Sequence, residues 1–142
     1  MLTFNLVKIL EDKLKITVVD SFPEEESASL PMVVVQYIEA LPRPAQIGGK
    51  LEIMQFSYVI HVFGKNKGQR DSLLETIYFY LRDNSLTFYE LKVDNGIVVL
   101  DTTKPVLGIR VVPQRIRVLP AVSEHPYDRY RGYVDLIIER LI

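Results

Sequence analysis

An α+β domain, with a mainly antiparallel sheet and two helices packed against it, is the fold class this 142-residue sequence predicts. Three observations predict it. Two segments carry apolar residues at three- and four-residue spacing, the mark of an amphipathic helix. The remaining apolar segments are rich in β-branched residues and mostly alternate, as half-buried strands do. Asn95-Gly96 sits between two such segments, and a two-residue Asn-Gly turn joins antiparallel strands. The element order is α-β-β-β-α-β-β-β-β, and the length fits a single domain over residues 1–142.

The first helix follows from Leu6, Ile9, Leu10 and Leu14, with Thr3 placed to cap it. Residues 15–20 read as a strand. Ser21 to Ser29, with Pro23 and Glu24-Glu25-Glu26, reads as a solvated loop. Pro31 to Ala40 holds Val33-Val34-Val35 and is a strand buried on both faces at its start. Leu41 to Lys50 carries Pro42, Pro44, Gly48 and Gly49, which predicts a loop or flexible hairpin arm over 42–50. A long strand runs from Leu51 to Phe63, with its phase slipping near Met54-Gln55, where a bulge is expected.

Asn66 followed by Gln69 has the form of a capping box. Leu73, Leu74, Ile77, Tyr78 and Leu81 then form one helical stripe, so a helix spans 68–83 and ends at Asn84 and Ser85. Strands follow at 86–93 and 97–100 around the Asn-Gly turn. Leu107 to Val112 and Ile116 to Leu119 are strand segments broken by Pro113, which marks a bulge or an edge, and count as one strand in the order above. Pro120 to Asp128 is a loop. The last strand starts at Tyr130, with Tyr130, Gly132 and Val134 in one phase and Arg131, Tyr133 and Asp135 in the other, and runs to about Glu139.

Composition excludes several functions. With no cysteine, disulfide frameworks, thiolate metal sites and cysteine nucleophiles are ruled out. A net charge of −1 excludes a polybasic DNA-coating protein and an acidic disordered tail. The apolar runs are far shorter than the roughly 20 residues that span a bilayer, and the start lacks the basic and cleavage features of a signal peptide. No membrane association is expected. The mean hydropathy of +0.11 is high for a small chain of this kind, which directs the surplus apolar surface to the core or to other subunits.

Catalytic equipment is hard to assemble from these residues. His61 and His125 have no partner at metal-ligand spacing, and each reads as a structural or surface residue. Asp71 and Glu75 are four apart, but the plainer account is that Asp71 favours the positive helix N-terminus and Glu75 is solvated. Ser72 and Ser123 lack a nucleophile-elbow frame. Gly64-Lys65-Asn66-Lys67-Gly68 lacks phosphate-loop spacing, although backbone N–H groups at that helix start attract anions. The expectation is a protein that is not an enzyme, with no cofactor and no metal.

The informative charge is local. Thr102 to Ser123 contains no acidic residue but holds Lys104, Arg110, Arg115 and Arg117, with Arg129 and Arg131 beyond it. On a strand Arg115 and Arg117 share a face. They read either as charges protecting an edge strand or as a basic stripe that meets an acidic partner or passing DNA. Of the partner roles, a subunit contact is expected, with both arginines pairing bidentately with carboxylates such as Glu24 to Glu26 of a neighbour.

The stretch Phe56 to Leu74, an alternating strand, a short basic turn and then Gln69-Arg70-Asp71-Ser72-Leu73 opening a helix, resembles the centre of tail-terminator (tail-completion, neck) proteins of long-tailed bacteriophages. The layout is similar over most of the chain: an N-terminal helix, a strand after Leu30-Pro31, a glycine-bearing arm at Gly48-Gly49 and a C-terminal strand after Arg131-Gly132. Residues 86–119 have no counterpart in that pattern. The resemblance implies a ring-forming subunit, commonly a hexamer, that caps the tail tube, ends its polymerisation and docks to the head connector. DNA would pass through without sequence-specific binding. It implies a place in the virion neck after assembly in the host cytoplasm. Lys65, Asn66, Lys67, Arg70, Arg110, Arg115, Arg117 and Arg131 are the expected partner-binding residues, Arg110, Arg115 and Arg117 on the charge pattern alone. A head-completion adaptor or stopper, and a small nucleic-acid- or anion-binding module using Lys65, Lys67, Arg115 and Arg117, remain the alternatives.

Overall fold

The computed structural model describes residues 1–22, 29–44, 52–119 and 130–141. Two helices, α1 (Leu2–Leu14) and α2 (Lys67–Asp83), accompany seven strands: β1 (Thr17–Val19), β2 (Met32–Pro44), β3 (Glu52–Gly64), β4 (Phe88–Asp94), β5 (Ile97–Val106), β6 (Ile109–Val118) and β7 (Tyr130–Leu141). Five strands form one sheet in the order β1-β2-β3-β7-β6, and β4 and β5 form a separate two-stranded sheet. All pairings are antiparallel except β1 with β2. The fold is α+β, as the sequence predicts. No helix among the described residues is long and apolar enough to cross a membrane.

The core lies between the helices and one face of the large sheet. Leu6 and Leu10 of α1 and Leu74, Ile77 and Leu81 of α2 pack on Val33, Val35, Ile60, Val62, Val134, Leu136 and Ile138. Burial of each such side chain contributes about 1.5–3 kcal/mol. A glycine makes the closest approach possible: a Cβ at Gly132 would stand 2.5 Å from Leu74 Cδ1 and 3.1 Å from the Arg117 carbonyl. A smaller cluster, Met32, Val34 and Phe63, sits on the opposite face of the sheet.

The structure revises several local expectations. Thr3 does not cap α1. Met1 is the N-cap and makes no side-chain cap bond, while the Thr3 hydroxyl lies 2.8 Å from the Tyr58 hydroxyl. Burial raises the Tyr58 pKa, against the opposing effect of that hydrogen bond. Strand β2 continues through Pro42-Arg43-Pro44, paired with residues 52–54, where an arm was expected to begin. Prolines fit there because these rungs lie at the far end of the ladder; residues 45–51 fall outside the described residues. The bulge is on β2 between Tyr37 and Glu39 and not at Met54-Gln55, whose pairing with β2 is regular. Asp71 does not occupy the first turn of α2; its carboxylate receives Arg70 Nε at 2.9 Å.

Other local expectations hold. Asn66 Oδ1 accepts the Gln69 N–H at 2.8 Å, and Gln69 Oε1 reaches back to the Lys65 N–H at 2.8 Å. Asn84 ends α2 and donates to the Tyr80 carbonyl. Asn95 and Gly96 take positive φ, 53° and 77°, and turn β4 into β5. The segments expected at 107–112 and 116–119 fall on one strand, β6 (Ile109–Val118), which leaves out Leu107, Gly108 and Leu119; its register slips between Pro113 and Arg115, and β6 is an edge of the sheet. The predicted loop 120–128, with Ser123 and His125, lies outside the described residues.

Candidate functional site: an arginine face and an amphipathic hairpin

The sheet face turned away from the helices is polar at its β6 side. Strand alternation puts Arg110, Val112, Arg115 and Arg117 of β6 on it, and the ladder sets Arg115 opposite Asp135 and Arg117 opposite Tyr133 of β7. Arg115 Nε lies 2.7 Å from Asp135 Oδ2. Arg117 donates from Nε to Oδ2 at 2.7 Å and from Nη2 to Oδ1 at 2.9 Å. The carboxylate side chain is 13% exposed, whereas Arg115 remains 67% exposed. Burial pushes the Asp135 carboxyl up, but the bonds from Arg117 and Arg115 outweigh it and hold it below the usual carboxylate range. The same bond to Asp135 raises Arg117.

Aromatic rings extend this cluster inward. The Arg117 guanidinium lies 4.8 Å from the Tyr133 ring centre, and Arg131 lies 5.2 Å from the same ring and 5.1 Å from Phe63. Arg131 Nη2 is 3.1 Å from His61 Nδ1, and His61 Nε2 is 2.7 Å from Gln36 Oε1. A guanidinium only donates, so Nδ1 accepts; the ring carries its proton on Nε2 and donates it to Gln36. His61 is thus a buried structural residue bridging β2, β3 and β7.

Of the sequence-predicted residues, Arg110, Arg115, Arg117 and Arg131 share this face. Lys65, Asn66, Lys67 and Arg70 do not. They form the turn from β3 into α2, where Lys65 and Lys67 are exposed, Asn66 is the helix cap and Arg70 is buried over Gly64. Both arginines meet a carboxylate within the chain: the β6–β7 register sets Asp135 opposite Arg115 and diagonal to Arg117. Glu24 to Glu26 lie outside the described residues. The signal for Asp135 was present: it shares a strand phase with Arg131 and Tyr133. Among the described residues no three His, Asp or Glu side chains gather as a metal site.

The second feature is the β4–β5 hairpin. Its base is anchored by Phe88, buried in the core, and by Asn5 of α1. Asn5 Oδ1 accepts the Tyr89 N–H at 2.8 Å, and its Nδ2 donates to the Tyr89 carbonyl at 2.8 Å and the Met1 carbonyl at 2.9 Å. Asp101 receives the Thr103 hydroxyl at 2.6 Å and N–H at 3.1 Å, which together hold its carboxyl below the usual range. Beyond this base the hairpin is amphipathic. Leu91 pairs with Leu100 and Val93 with Val98 on one face; Glu90 pairs with Asp101, Lys92 with Val99 and Asp94 with Ile97 on the other. Val93 is 71% exposed and Leu91 and Val98 are exposed too, while Leu100 is partly buried, so the outer part of this face is open to solvent among the described residues; Ile97, on the other face, is also exposed. The alternation of residues 90–94 was legible in the sequence, but only the structure shows that Val93 and Val98 are left uncovered among the described residues. No protein-family model and no curated protein matches the chain.

Proposed function

We propose that this chain is a virion assembly protein, the ring-forming tail terminator of a long-tailed bacteriophage, which caps the tail tube, ends its polymerisation and offers the docking surface for the head connector. The observation that carries the reading is the coexistence, among the described residues of one small chain, of a hairpin with an exposed apolar face and a sheet edge on β6 with no further strand beside it. A ring subunit needs two different surfaces that meet head to tail, and these are two such surfaces. A two-stranded hairpin is marginal in water by itself, so an exposed apolar one is consistent with a partner that covers it. The resemblance of Phe56 to Leu74 to tail terminators supplies the particular assembly; in the fold this stretch is the β3–cap–α2 unit. On this reading the protein works in the virion neck, after assembly in the host cytoplasm, by surface complementarity and without catalysis.

The test is removal of the gene followed by electron microscopy of the particles. Overlong tails are the expected result. Full heads beside separate tails of normal length would assign a head-completion adaptor instead. The exposed guanidinium ends of Arg115 and Arg117 favour, as a second reading, an anion- or nucleic-acid-binding module. That reading requires DNA affinity that falls steeply with salt in a filter-binding titration.

A further inference from the structure

We infer that the β4–β5 hairpin of one copy seats along strand β6 of a second copy, extending its sheet. The inference rests on the self-assembly part of the proposed function and names the two surfaces that meet.

The match is two-sided. On β6, apolar side chains (Ile109, Val111, Ile116) face α2 and the core, while Arg110 and Arg115 face the other way. On β4, Leu91 and Val93 occupy one face while Glu90 and Asp94 occupy the other. Laid beside β6 as an added strand, β4 puts apolar residues beside apolar residues on one side and carboxylates beside guanidinium groups on the other. The spacing agrees as well. Arg110 stands opposite Glu139 and Arg115 opposite Asp135, so they are four ladder positions apart, because the bulged Gln114 adds a residue without adding a rung. Glu90 and Asp94 are also four positions apart, about 13 Å at strand rise. Lys92 then falls beside Val112 and meets no arginine. Because β4 meets β6 through the edge away from β5, only one strand direction matches both faces at once; reversing it exchanges the faces.

Both partners are available. Strand β6 ends the sheet, and β4 pairs only with β5 among the described residues. Two surface grooves of about 300 and 290 Å³ lie between α2 and β6; Leu81, Leu86, Ile109 and Val111 share the lining of one with Arg82, Asn84, Ser85 and Arg110, and Leu74, Ile116 and Val118 share the lining of the other with Arg70, Asp71 and Glu75. Their apolar walls lie on the side of the sheet where Leu91 and Val93 are placed. Pro113 has no N–H to give, so one main-chain rung is lost and side-chain complementarity carries more of the pairing. Arg115 binds Asp135 through Nε, which leaves its other N–H donors for a second carboxylate. Within one chain the contact does not form: only Leu107 and Gly108 separate β5 from β6, and the hairpin belongs to a different sheet.

The chain has no cysteine, so engineered disulfides report this contact without background. An Arg110→Cys variant is mixed under oxidising conditions with Asp94→Cys, and separately with Glu90→Cys. One of the two mixtures is expected to form a mixed-disulfide dimer far faster than a control mixture with Lys13→Cys, and which one does so gives the strand direction. Val93→Asp, at an exposed position, should slow that cross-linking about tenfold or more with an unchanged melting temperature. Cross-linking at the control rate in both mixtures would overturn the inference. So would Val93→Asp cross-linking at the parent rate. These results concern the isolated protein, so normal tail lengths in the gene-deletion test would remove the terminator reading and leave the hairpin contact standing.

Discussion

Arg117 grips Asp135 through two hydrogen bonds, Nε to Oδ2 at 2.7 Å and Nη2 to Oδ1 at 2.9 Å, across the last pair of strands in the sheet. With Arg115 on the same oxygen, one nearly buried carboxylate pairs with both arginines that the acid-free stretch Thr102 to Ser123 places on this face. Replacing Asp135 by Asn is expected to cost about 1–2 kcal/mol at neutral pH, a figure kept low because both arginines are substantially exposed. The sign with pH follows from the lowered carboxyl. Its contribution is present above the unfolded carboxylate value of about 3.9 and is lost as pH falls through the lower folded value. Urea unfolding from neutral to acidic pH should therefore show a steeper acid loss in the parent than in Asp135→Asn. Parallel curves would refute this.

Gly132→Ala should destabilise by about 1–3 kcal/mol, because the new methyl meets Leu74 Cδ1 at 2.5 Å and the Arg117 carbonyl at 3.1 Å. Leu74→Ala alone opens a cavity and costs about 2–5 kcal/mol. The double variant should lose less than the sum of the two, by at least about 0.5 kcal/mol, in a thermodynamic cycle from chemical denaturation.

Asn5→Ala removes the side chain that satisfies both main-chain groups of Tyr89. The expected loss is about 1–3 kcal/mol. Its location is more telling than its size. Amide hydrogen exchange should accelerate through residues 88–106 while β3 and β7 keep their protection, because Asn5 ties the hairpin to α1 and touches neither strand's ladder.

Asn66→Ala deletes the cap of α2 and should lower stability by about 1 kcal/mol, read as a drop in melting temperature. Asn66→Asp should retain most of it, since a carboxylate also accepts the Gln69 N–H and suits the helix N-terminus. An equal loss in both variants would contradict the capping role.

Local chemistry determined much of this protein. The Asn66–Gln69 box, the apolar stripe of α2, the stop at Asn84 and the Asn95-Gly96 turn are each settled by interactions among residues a few positions apart, so they were legible without the fold. The sequence also showed that Arg115 and Arg117 share a face. What it did not show is their partner. Arg117 and Asp135 are 18 residues apart and meet only because β7 enters the sheet between β3 and β6. That order is set by which apolar faces pack together beneath α1 and α2, a property of the whole chain. The same holds for the β4–β5 hairpin. Its alternation is written in residues 90–94, but whether a strand's apolar face is covered or open depends on which sheet the strand joins. The tertiary structure kept that hairpin out of the main sheet, held it through Asn5 and Phe88, and left Val93 and Val98 exposed.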